Sequence, residues 1–460
     1  MIINYLRFNV LVKYCITIIL LCCIFPVWGK EKVFRIGVAG LNHGHVGWVF
    51  EANKRSDIEI VGIAEPNRAL AERYILAHGL SMDLIFESLE EMLEKTKPEA
   101  VTGFGTTFAH LEIVQLCAPR GIHVMVEKPL AVSLAHAKEM ANLAQKYQIH
   151  LLTNYETSWY ATNEKLYQLF KAGQIGEARK IVVRDGHRGP KKIGVKPEFL
   201  EWLTDLELNG AGALMDFGCY GANLSTWLLD GKRPISVTSI TQQLNPADNP
   251  KVEDEATIIL TYPTSQTIIE ASWNWPIGRK DMEVYGMTGA IFSDNAKKLR
   301  VRMAKGYDGF EEKKFELDAR QKPFDDPFSV LKAVVWGEIK LAAFDLYSLE
   351  NNLVVMEILE AAKEVSIPEE KEFLKTTMAN FMKKQFLAYN NDTVENNVIA
   401  QQLKELSKGE LILENPDDLV HTNTLLKTMG IGQNQQKNQR FNKQKSNNNN
   451  KYKKKKFIKK

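Results

Sequence analysis

The apolar residues of this chain change their rhythm near residue 155. Before it, short unbroken apolar runs alternate with stretches of helical period. VFRIGVAG (33–40), IEIVGIAE (58–65), PEAVTGFG (98–105), IHVMVEKP (122–129) and IHLLTN (149–154) read as strands buried on both faces. Between them, His45–Arg55, Asn67–His78, the segment HLEIVQLCAPRG stopped by Pro119 and Gly121, and a helix capped by Ser133 running to about Tyr147 read as the connections. Such alternation predicts a parallel sheet with helices on both faces. After Glu156 the pattern becomes mainly period two. One helix (Asn163–Ala172), ARKIVVRDGH, and a helix around Phe217–Leu229 precede the strands ISVTSITQQL, EATIILTYP, QTIIEASWNW, DMEVYGM and AIFSD. These predict an open, largely antiparallel sheet covered by helices on one face. Phe328–Ala343 and Leu349–Glu364 should be amphipathic helices packing back on the body. The fold class is therefore α/β: an N-terminal dinucleotide-binding domain of Rossmann type over 33–152, and a second α/β domain over 153–366.

The ends differ from this body. Residues 1–29 combine Arg7 and Lys13 with the apolar stretch Cys15–Phe25 and a terminal Gly29, the pattern of a cleaved export signal. An uncleaved anchor or lipidated terminus is the competing reading, but the uncharged run 14–29 falls short of the roughly 20 residues a spanning helix needs. A periplasmic protein without a stable membrane span is expected. Residues 367–432 read as a helical extension, and 433–460 as a disordered, Asn/Lys-rich basic tail. The net charge of +3 hides this asymmetry: 46 Lys and Arg against 56 Asp and Glu leave −10 on residues 30–436. An acidic body argues against nucleic acid as a partner. Three of the five cysteines lie in the signal, so Cys117 and Cys219 read as buried small hydrophobes.

Two segments carry candidate chemistry. In Gly37-Val-Ala-Gly40-Leu-Asn42-His43-Gly44-His45, glycines follow a strand and open a helix, where a dinucleotide's pyrophosphate docks. Read from Gly40, Asn42 and His45 occupy the second and third glycine slots of Gly-x-Gly-x-x-Gly, which weakens the motif. His43 and His45 could also touch a nicotinamide. Glu65 ends the second strand and can accept from both ribose hydroxyls while repelling a 2′-phosphate, which favours NAD over NADP. Lys128 emerges at the end of a buried strand, where an ammonium can steady a developing alkoxide; the bland alternative is a pair with Glu127. In the second half, Asp216, Tyr220 and Asn223 are spaced to share a helical face and position a polyol. His187 follows a strand toward the same cleft. Trp273, Trp275 and Arg279 suit sugar stacking or, equally well, sheet-face packing. No segment has metal-ligand spacing.

The ordered motifs IGVAGLNHGH, VGIAEPN, TTFAH, GIHVMVEKPLAVS, GALMDFGCYGAN and LENNLVVMEILEAA resemble the glucose–fructose oxidoreductase / inositol dehydrogenase / MocA (Gfo/Idh/MocA) family over about residues 33–366. The resemblance implies a tightly bound NAD held also by Thr106, His110 and Glu127, with Lys128 as the family lysine. It also implies a homodimer or homotetramer through the second sheet. The family's Asp-x-Gly-x-His-x-x-Asp is here Asp216-x-Gly-x-Tyr220-x-x-Asn223, with Tyr220 at the acid/base position, similar to the exported glucose–fructose oxidoreductase branch. A phenol titrates near 10 against about 6.5 for imidazole, so Tyr220 needs a cation such as Lys128 beside it. The implied function is NAD(P)-dependent hydride transfer on a sugar, polyol or glycoside. Two alternatives stand: a glycoside hydrolase or lyase using transient oxidation, and a non-catalytic saccharide-binding protein.

Overall fold

The computed structural model describes residues 32–365; the expected signal, helical extension and basic tail lie outside them. Six parallel strands form the first sheet: β1 (Phe34–Ala39), β2 (Ile58–Ala64), β3 (Ile85–Phe86), β4 (Ala100–Gly103), β5 (His123–Glu127) and β6 (Leu151–Asn154), in the order β3-β2-β1-β4-β5-β6. The order reverses between β1 and β4, so a crevice opens at their carboxyl ends, the ligand position of doubly wound sheets. Five helices connect the strands: α1 (Val46–Ala52), α2 (Arg68–His78), α3 (Leu89–Thr96), α4 (His110–Cys117) and α5 (Leu134–Tyr147). Asn67 caps α2 by accepting from Leu70 N at 3.1 Å, and Ser133 caps α5 by accepting from His136 N at 3.2 Å. β3 and α3 escaped the sequence reading. The strand is only two residues long, and LEEMLEKT is eight residues with two buried side chains, too short a period to register.

The second sheet contains β7 (Ala178–Gly186), β8 (Ser236–Gln242), β9 (Glu255–Thr261), β10 (Gln266–Ser272), β11 (Arg279–Gly286), β12 (Gly289–Ser293), β13 (Lys298–Lys305) and β14 (Gly309–Glu316). Their order is β14-β13-β12-β11-β7-β10-β9-β8. Among the described residues, every neighbouring pair is antiparallel except β7 with β10. The five strands expected after residue 230 are present. β13 and β14 are additional: GFEEKKFE is exposed nearly throughout, so no apolar alternation marks it.

Helices α6 (Ala161–Lys171), α7 (Pro197–Leu203), α8 (Leu206–Asn209), α9 (Ala213–Asp216) and α10 (Gly218–Leu228) follow, then α11 (Pro327–Val335) and α12 (Leu349–Val365). Every residue of α10 is buried. It lies so close on the sheet that a Cβ at Gly221 would stand 2.4 Å from Ile269. α12 packs against α10 and α5, joining the cover of one sheet to that of the other. α11 returns to the first sheet, burying Phe328, Val330, Leu331 and Val334 with Phe34, Ile36 and Phe50. Asp326 caps it, and Arg55 and Lys332 pair with Asp57 beside it. The helix expected to reach Ala343 stops at Val335, where Trp336 closes it and Gly337 turns left-handed at φ +71°. Among the described residues no helix is long and apolar enough to cross a membrane.

The short helix α9 depends on one glycine. Glu253 accepts from Gly212 N at 2.8 Å and from Leu214 N at 2.9 Å, and a Cβ on Gly212 would lie 1.8 Å from the Glu253 carbonyl oxygen. Gly79 ends α2 at φ +64° with open space around it. Gly212→Ala should therefore lower unfolding free energy by about 3 kcal/mol or more, against about 1 kcal/mol for Gly79→Ala, both measured by denaturant unfolding.

Candidate active site

The turn after β1 is built around Gly40, at φ +82°, whose Cβ would lie 2.8 Å from the backbone of Gly105. Close approach and left-handed backbone both demand glycine there. Gly37 has a different task from the turn-making one expected: it lies within β1, and its missing Cβ makes room for Met92 of α3. Gly44 is near open space, with Phe199 at ordinary contact distance. Asn42 presents its carbonyl to Trp202 Nε1 at 3.2 Å, and its buried Oδ1 has no partner among the described residues. Glu65 sits at the end of β2 as expected. Its two oxygens accept from Leu41 N and Asn67 N, each at 2.9 Å, and burial raises its pKa. Each oxygen keeps a second lone pair for a ribose hydroxyl.

Beside the turn, His45 Nδ1 meets Glu127 Oε2 at 3.0 Å, and Glu127 Oε1 accepts from Asn154 Nδ2 at 2.6 Å. Burial pushes His43 and His45 well below the ordinary histidine value, and the two lysines nearby push His45 further, so both rings are neutral. The ligand atoms of His43, His45 and Glu127 all fall within 4.8 Å of one another, a grouping that sequence spacing did not reveal. However, His43 Nδ1 accepts the His45 amide at 3.0 Å while His45 Nδ1 faces Glu127, so hydrogen bonds satisfy these atoms without an ion. Thr106 Oγ1 accepts from Ala109 N at 3.1 Å at the start of α4. His110 is buried, with Nδ1 3.1 Å from Leu130 O, and burial lowers its pKa to about 4. It ties α4 to the loop that follows Lys128 and Pro129.

Lys128 leaves the end of β5 and crosses to the second sheet's helical cover. Its Nζ donates to Asp216 Oδ1 and, at 2.9 Å, to the Asp216 carbonyl; Asp216 Oδ2 accepts from Trp273 Nε1 at 2.9 Å. Both charged side chains are 6% exposed. Burial works against each charge, yet their mutual attraction prevails: Lys128 is held above the ordinary lysine value and Asp216 below the ordinary carboxyl value. Lys128 is thus paired with Asp216, and the alternative pairing with Glu127 does not occur. The lysine also lies 5.3 Å from the centre of the Tyr220 ring. The cation at the Tyr220 hydroxyl is a different one, Lys280, whose Nζ is 3.4 Å away. Lys280 in turn pairs with Glu156, and Tyr160 donates to the other Glu156 oxygen at 2.7 Å. Burial and the surrounding acids keep the Tyr220 phenol protonated, well above its ordinary value. His187 reaches the same place, edge-on to Phe217 at 4.9 Å and influenced electrostatically by Asp216, with burial lowering its pKa.

Three expected substrate contacts are elsewhere. Asp216 closes α9 and Tyr220 belongs to α10, with Phe217 breaking the helix between them, so the four-and-three spacing does not carry Asp216 along one helical face with Tyr220 and Asn223. Asn223 instead donates to Leu346 O at 2.9 Å and meets Asn352 of α12. Trp273 is 1% exposed and serves Asp216 through its indole N–H, leaving no ring face for a sugar. Arg279 is exposed, pairs with Asp281 and lies 5.8 Å from the Trp275 ring at the sheet's surface. The residues missed are Glu156, Asp185 and Lys280. Asp185 follows Ile181 and Val183 at period two on the helix-covered face of β7, and Lys280 precedes Met282 and Val284 on that of β11. A charge at the end of an apolar alternation was the available signal.

The tight Gly40 turn, the Glu65 carboxylate and the neutral histidines fit a dinucleotide entering the crevice between β1 and β4. Comparisons agree. Residues 34–155 match the model of an oxidoreductase family with an NAD-binding Rossmann fold, and 163–292 match the GFO/IDH/MocA C-terminal domain; together they cover more than half of the chain. Residues 351–417 match a domain of unknown function. The trans-1,2-dihydrobenzene-1,2-diol dehydrogenase of Xenopus tropicalis is 26% identical over 183 residues, 40% of this chain and 52% of that protein. The rhizopine catabolism protein MocA of Rhizobium meliloti is 24% identical over 228 residues, 49% of this chain and 67% of that protein. In the matches to dehydrogenases the chain spans about half to two-thirds of the relative's length. Among solved structures, GenD2 from gentamicin A biosynthesis in complex with NAD aligns with TM-score 0.59 at 19% identity, covering 75% of this chain and 97% of that one. An aldose-aldose oxidoreductase from Caulobacter crescentus complexed with glycerol aligns with TM-score 0.58 at 20% identity, covering 73% and 98%. At these identities the structures attest the fold. By its two matching domains, the chain belongs to the Gfo/Idh/MocA oxidoreductase family.

Proposed function

We propose that this chain is an exported NAD-dependent oxidoreductase acting on a carbinol or carbonyl carbon of a sugar, polyol or glycoside. The observation that carries the reading is the Lys128 ammonium, held at the carboxyl end of β5 by Asp216 from the opposite sheet's cover. The glycine turn would hold the pyrophosphate and Glu65 the adenosine ribose, whose hydroxyls an acid recognises and whose 2′-phosphate it would repel. When bound, NAD supplies a nicotinamide carbon able to exchange a hydride with the substrate.

The chain's own groups handle the oxygen. Lys128 cannot lose its proton beside Asp216, so it acts as a fixed donor that stabilises alkoxide character. Tyr220, held as a phenol by burial, can hand its proton to that oxygen when a carbonyl is reduced and must recover it when an alcohol is oxidised. Lys280 at the hydroxyl favours the phenolate when the proton is elsewhere. Export is supported by the basic and apolar pattern of residues 1–29. A homodimer or homotetramer through the uncovered face of the second sheet is part of the same reading, and light scattering on the purified chain should return two or four copies.

With D-glucose, myo-inositol and p-nitrophenyl glycosides as probes, the wild-type chain should turn over at least one. Lys128→Met should still bind NAD but lose about a hundredfold or more in kcat. Undiminished turnover would sink the assignment, and circular dichroism checks that the variant folds. Glycoside cleavage without net NADH would select the elimination route over net oxidation. Because the phenol stays protonated beyond its ordinary value near 10, carbonyl reduction should show no Tyr220 ionisation below about pH 9. A loss of reductive rate near pH 7 that Tyr220→Phe abolishes would contradict this assignment of the proton.

A further inference from the structure

Around Tyr220 the charges do not pair off. Two ammonium groups are present, Lys128 and Lys280, and each has its own carboxylate, Asp216 and Glu156. Asp185 is a third carboxyl with no cation of its own. It is 2% exposed, and neither of its oxygens accepts a hydrogen bond from any described residue. Leaving such a group unsatisfied costs several kcal/mol in most settings, so its retention calls for an explanation.

The surroundings offer one. Asp185 pairs in register with Lys280 across β7 and β11, which places both side chains on the helix-covered face. Asp185, Lys280, Tyr220 and Thr157 are among the residues that line a small, partly open cavity. The Thr157 hydroxyl is a second buried oxygen without a partner. The cavity is just large enough for one water, and the four side chains at it can supply the two to four partners that a buried water takes. One water there would satisfy Thr157 and Asp185 together and connect both with the Tyr220 hydroxyl.

We propose that Asp185 is the proton store of this site, exchanging a proton with the Tyr220 hydroxyl through a single water fixed by Thr157 and Lys280. This inference rests on the oxidoreductase reading. In alcohol oxidation, which requires Asp185 in its ionised form, the substrate's O–H proton passes to the Tyr220 oxygen while the Tyr220 proton moves through the water to the Asp185 carboxylate. The C–H bond yields its electron pair as a hydride to the nicotinamide, and a carbonyl remains. Reduction reverses each transfer, with the Asp185 carboxylic acid replacing the proton that Tyr220 gives away. Asp185 does not touch the substrate oxygen; it acts through Tyr220.

The electrostatic setting agrees. Burial raises the Asp185 pKa well above the ordinary carboxyl value, opposed by Lys280 and Lys128 and reinforced by Asp216 and Glu156. Its remaining titratable neighbours, Tyr220, Tyr160 and Cys219, are themselves pushed up by burial and stay neutral. Burial thus favours the protonated carboxyl at Asp185, the form that supplies the proton in reduction, and it ionises into the form that oxidation requires as pH rises, the opposite of the salt-bridged Asp216.

Infrared titration of the full chain tests this without a substrate. The wild type should show the carbonyl stretch of a protonated buried carboxyl that fades as pH rises. Asp185→Asn should remove it, and Tyr220→Phe should move its titration midpoint by about one pH unit, whereas a merely structural carboxyl would titrate alike with either ring. On any probe sugar that the wild type turns over, Asp185→Asn should lower kcat about a hundredfold with NAD affinity unchanged. Identical spectra for wild type and Asp185→Asn, or the same midpoint in Tyr220→Phe, would overturn the relay alone. Failure of the wild-type chain to bind NAD in calorimetry would overturn the oxidoreductase reading and the relay with it.

Discussion

A buried ammonium must find a counter-charge, and most of this site follows from where Lys128 finds one. Its partner, Asp216, lies 88 residues later on the helical cover of the other sheet. Removing both charges from water costs several kcal/mol each, which only close contact and complete hydrogen bonding can offset. The second requirement is met by the Asp216 carbonyl, which accepts from Lys128, and by the Trp273 indole, which donates to the free carboxylate oxygen. Trp273 in turn is placed by β10 and its extension. One ion pair therefore fixes the end of β5, the break between α9 and α10, and the carboxyl end of β10 relative to one another.

The pair also determines what its neighbours can do. With Lys128 committed to Asp216, the cation serving the Tyr220 hydroxyl has to come from elsewhere, and β11 provides Lys280. Lys280 is held by Glu156 in the turn after β6. The two lysines thus divide the work: one offers a constant donor to the reacting oxygen, while the other biases the proton on the phenol. Neutral histidines on the phosphate side keep further positive charge out of the same small space.

Much of this was legible in the chain. Buried apolar runs announced the five long strands of the first sheet, and caps at Asn67 and Ser133 marked helix starts because short polar side chains can satisfy free backbone amides. Lys128, Tyr220, Asp216 and His187 could be placed near one another because strand ends and a helix start carried them to one cleft. Reading failed where the governing contact was distant in sequence. Asn223 has helical spacing with Tyr220, but its partners are in α12. Trp273 looked like a stacking surface, but its ring is enclosed and only its N–H matters. β14 is charged on both faces and lacks the apolar period that identifies a strand, whereas Leu299, Val301 and Met303 of β13 do alternate with charged residues and went unread. Asp185 and Lys280 face each other across β7 and β11, and nothing in one strand records the charge on its neighbour.

The roles given to Lys128 and Tyr220 require that the crevice between β1 and β4 hold a nicotinamide dinucleotide against Lys128. The most direct measurement is to purify the chain without residues 1–29, denature it, and identify any released nucleotide by mass spectrometry, then to titrate NAD into the emptied protein. NAD is expected, released from the purified chain or bound on titration with a stoichiometry near one per chain. A chain that releases no nucleotide and binds neither NAD nor NADP would contradict it.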